Sequence, residues 1–487
     1  MEKINVDIVK LNSTYGRIFS DNYCVIESLY KKFTMRPENY KFSPKYKSGI
    51  WDGKIHFVEK NGRFPIGILT KILKYISDND EYQINIDEEF GEKENKEMLK
   101  NDFLEVICEY LDSEFAPYFY QLRGALKAIY HKRSIIEHCT GSGKSFTMAL
   151  IIIYLIHKHP NFKFLIVVPK IDLVEQLNEE FSRFGIPEDV IGKYFGFEKN
   201  EECPITISTW QSIYKNKNFL KQIDVIIVDE AHSLKATVVK SVAEKATKAE
   251  YRIALTGTLP DFNTDRLFVE SVTGPLVDRV TTSELIKLKK ISDIKINSLL
   301  LKFNDDILTK LDGVDYQSEK MFIEGNDSRN KIIVNLLEKL CKMKKNSLVL
   351  VQKIEHGETL LNLLTKCGIN TKMVCGETKL DERNEIRKEM EKIEGQVIVA
   401  TVGVFSTGIS IKKLHNIVFA SPGKSKIQTL QSIGRGLRLH NTKKKVMIFD
   451  ISENTKYSSK HYSKRKSYYK KNDFQFFEKE IDIDAQI

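Results

Sequence analysis

Hydrophobic spacing changes twice along this chain. In the first hundred residues, Ile4 to Val9 alternates apolar and polar positions as a half-buried strand does, and Tyr82 to Ile86 alternates again. Between them Gly53 to Val58 runs into Asn61-Gly62, a two-residue turn signal that predicts a hairpin. Ile66 to Ile76 has helical spacing, and the polar run Asp87 to Glu97 reads as a boundary. A small α+β unit is expected over residues 1–112.

From about Phe115 short, continuously apolar strands alternate with amphipathic helices. The predicted strands are 134–136, 164–168, 205–208, 225–228 and 252–255, then 347–351, 371–374, 396–400, 417–419 and 446–449. Strands without alternation are covered on both faces, which predicts α/β architecture with doubly wound parallel sheets. Two such lobes in tandem are expected, over 113–282 and 283–455, with a connector near 275–295. A basic, tyrosine-rich tail follows over 456–487. It could be an auxiliary polyanion contact or a solvated end.

At 487 residues the chain is long enough for about three domains. A net charge of +10 suits a polyanionic partner without requiring one. Seven cysteines stand singly with no CxxC pair, so neither a zinc knuckle nor a disulfide framework is indicated. A reducing compartment follows: the cytoplasm, or the host cytoplasm if the source is viral. The N-terminus lacks a signal-peptide core, and the longest apolar run, Met148 to Ile156, is too short to span a membrane. That run reads as a buried helix.

Candidate chemistry begins directly before it. Thr140-Gly141-Ser142-Gly143-Lys144-Ser145 stands between a predicted strand and a predicted helix, the setting of a phosphate-binding loop. The glycines let backbone N–H groups turn onto phosphates, and the helix N-terminus adds its dipole. Lys144 should reach the β- and γ-phosphates of ATP, and the Ser145 hydroxyl should hold Mg²⁺. His138 departs from the small residue expected at the start of such a loop. Asp229-Glu230-Ala231-His232 closes an apolar strand, so its carboxylates emerge at the sheet edge where ligands of open α/β sheets bind. Asp229 would anchor Mg²⁺, and Glu230 would deprotonate the attacking water. Such paired acids can otherwise cap the next helix. Gln121, among aromatics ahead of the first core strand, could read N6 and N7 of adenine, or could simply lie at the surface.

Arg435 and Arg438 lie three positions apart on a predicted helix and share a face. A guanidinium reaching the transferring phosphoryl is worth about 10³ to 10⁵ in rate. The bland alternative is a solvated basic helix, which the flanking Gln431 and Gly434-Arg435-Gly436 disfavour.

Taken in order, these segments resemble superfamily 2 helicases. The resemblance covers roughly 115–452: Gln121, the phosphate loop, Val168-Pro169 with Gln176, Thr209 with Gln211, Asp-Glu-Ala-His, Thr256-Gly257-Thr258, Ala400-Thr401, Ser406 to Ser410 and the arginine motif. It implies two RecA-like lobes driven by ATP and Mg²⁺. It also implies that Thr256, Thr258 and His232 relay nucleotide state, with Gly408 and Gln431 in the same coupling. Thr209, Gln211 and Thr401 would face nucleic acid. Ser410 stands where many relatives have Asp, and Thr-Gly-Thr replaces the commoner Ser-Ala-Thr.

Tyr40 to Lys54, Gly403 to Ser410 and Lys424 to Ile427 are similar to the corresponding stretches of the bacteriophage UvsW helicases. That resemblance implies a DNA motor acting on branched or forked DNA in replication, recombination and repair. Fork regression, junction migration and displacement-loop dissociation are the implied activities. Single-stranded-DNA-binding and recombination proteins would be its candidate protein partners, and the sequence leaves the oligomer open. Independently of the family, Lys41, Lys45, Lys47 and Lys54 interleaved with Tyr40, Phe42, Tyr46 and Trp51 could bind phosphates and stack on bases. The same aromatics could equally be the core of a small domain. An RNA helicase is the alternative enzyme. A nuclease-linked motor is another, from the acid–acid–lysine set Asp87, Glu94 and Lys96.

Overall fold

The alternation at the N-terminus does form a sheet, in a computed structural model that describes residues 3–38, 40–91, 95–111, 114, 116–232, 237–260, 262–404, 411, 413–421, 434 and 445–483. Its early strands are β1 (Ile4–Lys10), β2 (Tyr15–Phe19), β3 (Thr34–Met35), β4 (Ile55–His56), β5 (Arg63–Pro65) and β6 (Tyr82–Ile86). Four of them make a sheet in the order β5-β2-β1-β6, with β6 parallel to β1 and the other pairs antiparallel. Val6 and Ile8 point from β1 into a core with Ile18, Leu29, Phe64 and Ile72.

The predicted hairpin at Asn61-Gly62 is a turn only. β4 pairs with β3, and β5 pairs with β2. Gly62 explains the divergence: at φ +81° it lies so close to β2 that a Cβ would sit 2.2 Å from the Ile18 carbonyl oxygen. The turn is pulled onto β2 instead of folding back on β4.

An eight-stranded sheet follows, from β7 (Arg133–His138), β8 (Phe164–Val168), β9 (Ile191–Phe195), β10 (Glu198–Lys199), β11 (Ile205–Thr209), β12 (Val225–Asp229), β13 (Tyr251–Thr256) and β14 (Leu276–Val280). Its order is β10-β9-β11-β8-β12-β13-β7-β14, parallel except for the β9–β10 hairpin. Helix Lys144–Lys158 is buried from Phe146 to Leu155. It packs against helix Lys96–Tyr110, whose Leu99, Phe103, Val106 and Ile107 join the same core. That helix lies inside the expected 1–112 unit, yet its apolar stripe belongs to the phosphate-loop lobe. Tyr154 and Lys158 both bond Asp102 on it.

The second sheet comprises β15 (Asp293–Lys302), β16 (Ser347–Val351), β17 (Thr371–Val374), β18 (Val397–Thr401), β19 (Asn416–Phe419), β20 (Lys445–Glu453) and β21 (Gln475–Asp482). All its pairings are parallel, in the order β17-β18-β16-β19-β20-β15-β21. Two readings of the sequence are corrected here. The segment near 275–295, expected as connector, holds β14, helix Thr282–Lys287 and the opening of β15. The expected tail 456–487 contributes helix Lys456–Lys471 and edge strand β21. Tyr462, Arg465 and Tyr469 form that helix's buried face. Arg465 donates to Asp450 at 2.9 Å and to Ser452 at 2.6 Å, and the Tyr469 hydroxyl donates to Asp450 at 2.7 Å. Burial of such charges holds because each is paired.

The chain forms two compact units. One comprises Met1–His138 and Gly143–Val280; the other comprises Thr281–Ile487 with the loop Cys139–Ser142. Within the first, the N-terminal sheet is clamped to the β7–β14 sheet by two arginines, buried Arg252 and partly buried Arg133. Arg252, at the start of β13, donates to Thr14 Oγ1 at 2.8 Å, and Arg133 donates to the Ser13 carbonyl. Farther on, Thr264 Oγ1 donates to the Arg36 carbonyl at 2.9 Å. Among the described residues no helix is long and apolar enough to cross a membrane.

Candidate active site

β7 delivers the chain to the loop 139–143, and helix Lys144–Lys158 leaves it. Gly141 and Gly143 have φ of +88° and +79°, the left-handed region that L side chains avoid. Such a sequence of turns aims successive N–H groups inward, which is the form of an anion nest. Lys144 opens the helix and Ser145 stands in its first turn. Gly143 has a second constraint, since a Cβ there would lie 2.4 Å from Gln121 Nε2.

Gln121 is buried, so the surface reading of this residue does not hold. Its Oε1 accepts the Tyr118 N–H at 2.8 Å, which caps helix Phe119–His131 and fixes the carboxamide. Its Nε2 lies 3.5 Å from the Gly143 carbonyl.

Asp229 is the last residue of β12, beside β13 in register with Leu255. Burial, and then the charge of Glu230, push its carboxyl up to about 7, against the pull of Lys144. An acid held above its usual range is one that a cation would stabilise as carboxylate. Its carboxylate and the Ser145 hydroxyl are both hard-oxygen groups, the chemistry that would suit Mg²⁺.

Glu230 stands at φ +54°, a left-handed conformation that costs about 1–2 kcal/mol in a non-glycine residue. Its N–H donates to Asp229 Oδ1 at 2.9 Å. From its carboxylate a chain of polar contacts runs to the next strand. Glu230 Oε2 lies 3.4 Å from His232 Nδ1, and His232 Nδ1 lies 3.5 Å from Thr256 Oγ1. Thr256 Oγ1 then donates to the Thr258 carbonyl at 3.0 Å. The structure thus brings together Asp229, Glu230, His232, Thr256 and Thr258 at the C-terminal ends of β12 and β13.

Other predicted residues stand elsewhere. Thr209 ends β11, buried, with its hydroxyl 2.9 Å from Ser212 Oγ, and Gln211 is exposed. Thr401 ends β18, half-buried. Gly408, Gln431, Arg435 and Arg438 lie outside the described residues, as does Glu94 of the acid–acid–lysine set. Asp87 of that set accepts the backbone N–H groups of Lys10 and Glu89. Lys41 and Lys45 are exposed. Trp51 is half-buried and donates its indole N–H to the Lys54 carbonyl at 2.8 Å. Tyr40 and Tyr46 meet edge to face over Gly53. The aromatic left open to solvent is Phe42, 74% exposed, and Ile50 in the same segment is 79% exposed.

One constellation escaped the sequence reading. His138 is a buried partner of Asp278, and Asp278 also takes Arg123 and Lys127. No local signal links positions 138 and 278, because strand pairing alone makes them neighbours.

Family models match three stretches of the chain. They are the N-terminal region of DNA helicase UvsW over 7–87, the res subunit of type III restriction enzymes over 77–261, and the helicase conserved C-terminal domain over 328–440. The ATP-dependent DNA helicase uvsW of Enterobacteria phage T4 is 30% identical over 447 residues, covering 90% of this chain and 88% of that protein. A DNA 3'-5' translocase, XPB2, of Sulfurisphaera tokodaii is 27% identical, covering 68% and 80% of the two chains. The crystal structure of T4 UvsW superposes with a TM-score of 0.51 at 27% identity, covering 98% of this chain and all of that one.

Proposed function

We propose, from the premise that this chain belongs to the UvsW family of superfamily 2 helicases and is an ATP-dependent DNA helicase, that its preferred substrate is branched DNA. Fork regression, junction migration and displacement-loop dissociation are the reactions meant. The observation that supports this reading is that Phe42 and Ile50 are open to solvent within one short segment that also carries exposed Lys41, Lys45 and Lys47. The segment is anchored through Arg36 to Thr264, six residues beyond Thr258. A branch differs from plain duplex in offering unstacked bases. Apolar and aromatic side chains can take these up for about 1–3 kcal/mol per base, while the lysines hold the flanking phosphates.

In the ATP cycle, Lys144 and the amides of 140–145 hold the phosphates, and Gln121 contacts the adenine edge. Ser145 and Asp229 hold Mg²⁺, which when bound would neutralise phosphate charge. Glu230 takes the proton of the attacking water, and His232, Thr256 and Thr258 carry the change to the neighbouring strand. Arg435 and Arg438 supply positive charge to the transferring phosphoryl. Thr209, Gln211 and Thr401 are assigned to the DNA backbone.

The test is DNA-stimulated ATPase with forked DNA, plain duplex, single-stranded DNA and single-stranded RNA, for the natural chain and for F42A/I50A. The natural chain should prefer the fork by about 5- to 150-fold over duplex. The double variant should lose most of that preference at unchanged melting temperature. Equal stimulation by fork and duplex would end the branched-substrate reading, and stronger stimulation by RNA would move the substrate class.

A further inference from the structure

His138 ends β7 and hands the chain to the phosphate loop, where it is fully buried. Its Nε2 lies 2.8 Å from Asp278 Oδ2 on β14, while its Nδ1 has no hydrogen-bond partner among the described residues. The neutral tautomer that donates from Nε2 satisfies the one contact available. Burial also holds the imidazole below its usual range, against the pull of Asp278.

Asp278 is itself nearly inaccessible and also accepts from two cations. Arg123 reaches it with Nε at 2.8 Å and Nη2 at 3.1 Å, and Lys127 with Nζ at 2.9 Å. Both stand on helix Phe119–His131, one turn apart. Between them Gly124 makes room for the imidazole; a Cβ there would be 2.8 Å from His138 Cε1. One turn earlier the same helix rests Gln121 on Gly143. The helix therefore meets the two flanks of the phosphate loop without slack, at His138 through Gly124 and at Gly143 through Gln121.

We propose that the His138–Asp278 bond sets the height of helix Phe119–His131 over the phosphate loop, making His138 a positioning residue for base selection by Gln121. The inference rests on the reading that Gln121 contacts adenine. A carboxamide discriminates only when its donor and acceptor fall within about 2.7–3.2 Å of the base. A helix free to shift by about 1 Å loses that selection while the phosphates stay held. A purely structural role for His138 predicts something else: lower stability with the choice of nucleotide unchanged.

The experiment measures DNA-stimulated hydrolysis of ATP and of GTP by the full chain, with melting curves, for the natural protein, Q121A, H138L and H138Q. Q121A and H138L should each reduce the ATP-to-GTP ratio of kcat/KM by about tenfold, chiefly through KM for ATP. H138Q, whose amide can donate to Asp278, should keep the ratio within about threefold of the natural chain. Should H138L fail to fold, H138N, too short to reach Asp278, is read by the same ratio. Lost preference in Q121A with full preference in folded H138L or H138N overturns the positioning role alone. Unchanged preference in Q121A overturns the reading of Gln121 and the inference with it.

Discussion

Lys144 and Glu230 do different work in the proposed cycle, and single substitutions should separate them. K144A removes the cation from the nest and should lower ATP turnover by more than about a hundredfold with little change in melting. E230Q keeps the shape of the side chain but removes the proton acceptor, and should still bind ATP while hydrolysis fails. Equilibrium binding of a fluorescent ATP analogue, read beside steady-state turnover, checks both; turnover by folded K144A would remove Lys144 from the site. In the second unit His356 offers a pH test. Its Nδ1 lies 2.6 Å from Ser421 Oγ and its Nε2 lies 3.2 Å from Asn330 Oδ1. Asn330 in turn donates its Nδ2 to the Glu324 carbonyl, so the ring donates to Oδ1 from Nε2 and accepts the serine proton at Nδ1. Both ring positions are satisfied by the neutral form. Burial, with Arg329 and Lys320 nearby, pushes its pKa down to about 3. A histidine lowered in the folded state takes up its proton first on unfolding. Stability should therefore fall as pH drops below about 6.5, by up to about 1.4 kcal/mol per unit, until the folded pKa is reached. H356Q should flatten that acid limb in urea titrations between pH 6 and 4; an unchanged slope would refute the assignment.

Among the elements, the buried strands were legible because an apolar run with both faces covered has few other readings. Val225 to Val228 and Ser347 to Val351 are examples. Where pairing partners are distant, the sequence was silent or misleading. β14 reads Leu-Val-Asp-Arg-Val, and its charges hide a strand whose Asp278 is satisfied by a helix and a histidine far back in the chain. β21 reads Gln-Phe-Phe-Glu-Lys-Glu-Ile-Asp and is largely exposed, as an edge strand can be. Helix Lys96–Tyr110 shows the same limit at a boundary. Its stripe is visible, but nothing local says that it packs on helix Lys144–Lys158. Burial of Leu99, Phe103, Val106 and Ile107 contributes about 1.5–3 kcal/mol each. Together that rivals the whole stability of a typical domain, about 5–15 kcal/mol. A chain begun at Asn95 should accordingly melt well above one begun at Ser113, and only the longer should keep ATPase activity. Equal melting temperatures would return that helix to the N-terminal unit.

At the scale of the molecule, the phosphate loop and the acid pair were readable because their chemistry is local. The clamps between sheets were not, since Arg133 and Arg252 look like ordinary strand residues until Ser13 and Thr14 are seen against them. The order of the second sheet has a consequence in time. β15 is the first strand of that sheet in the chain, yet among the described residues its neighbours are β20 and β21. At synthesis rates of about 5–20 residues per second, those neighbours, roughly 140 to 170 residues later, leave the ribosome about 7 to 35 seconds after β15. Throughout that interval Leu299-Leu300-Leu301 travels as an unpartnered edge. Long-range parallel pairing is slow to form even once both strands exist. The newborn chain is thus most vulnerable to clumping until β20 and β21 emerge, and cooler expression or a helper that shields nascent strands should raise its soluble yield.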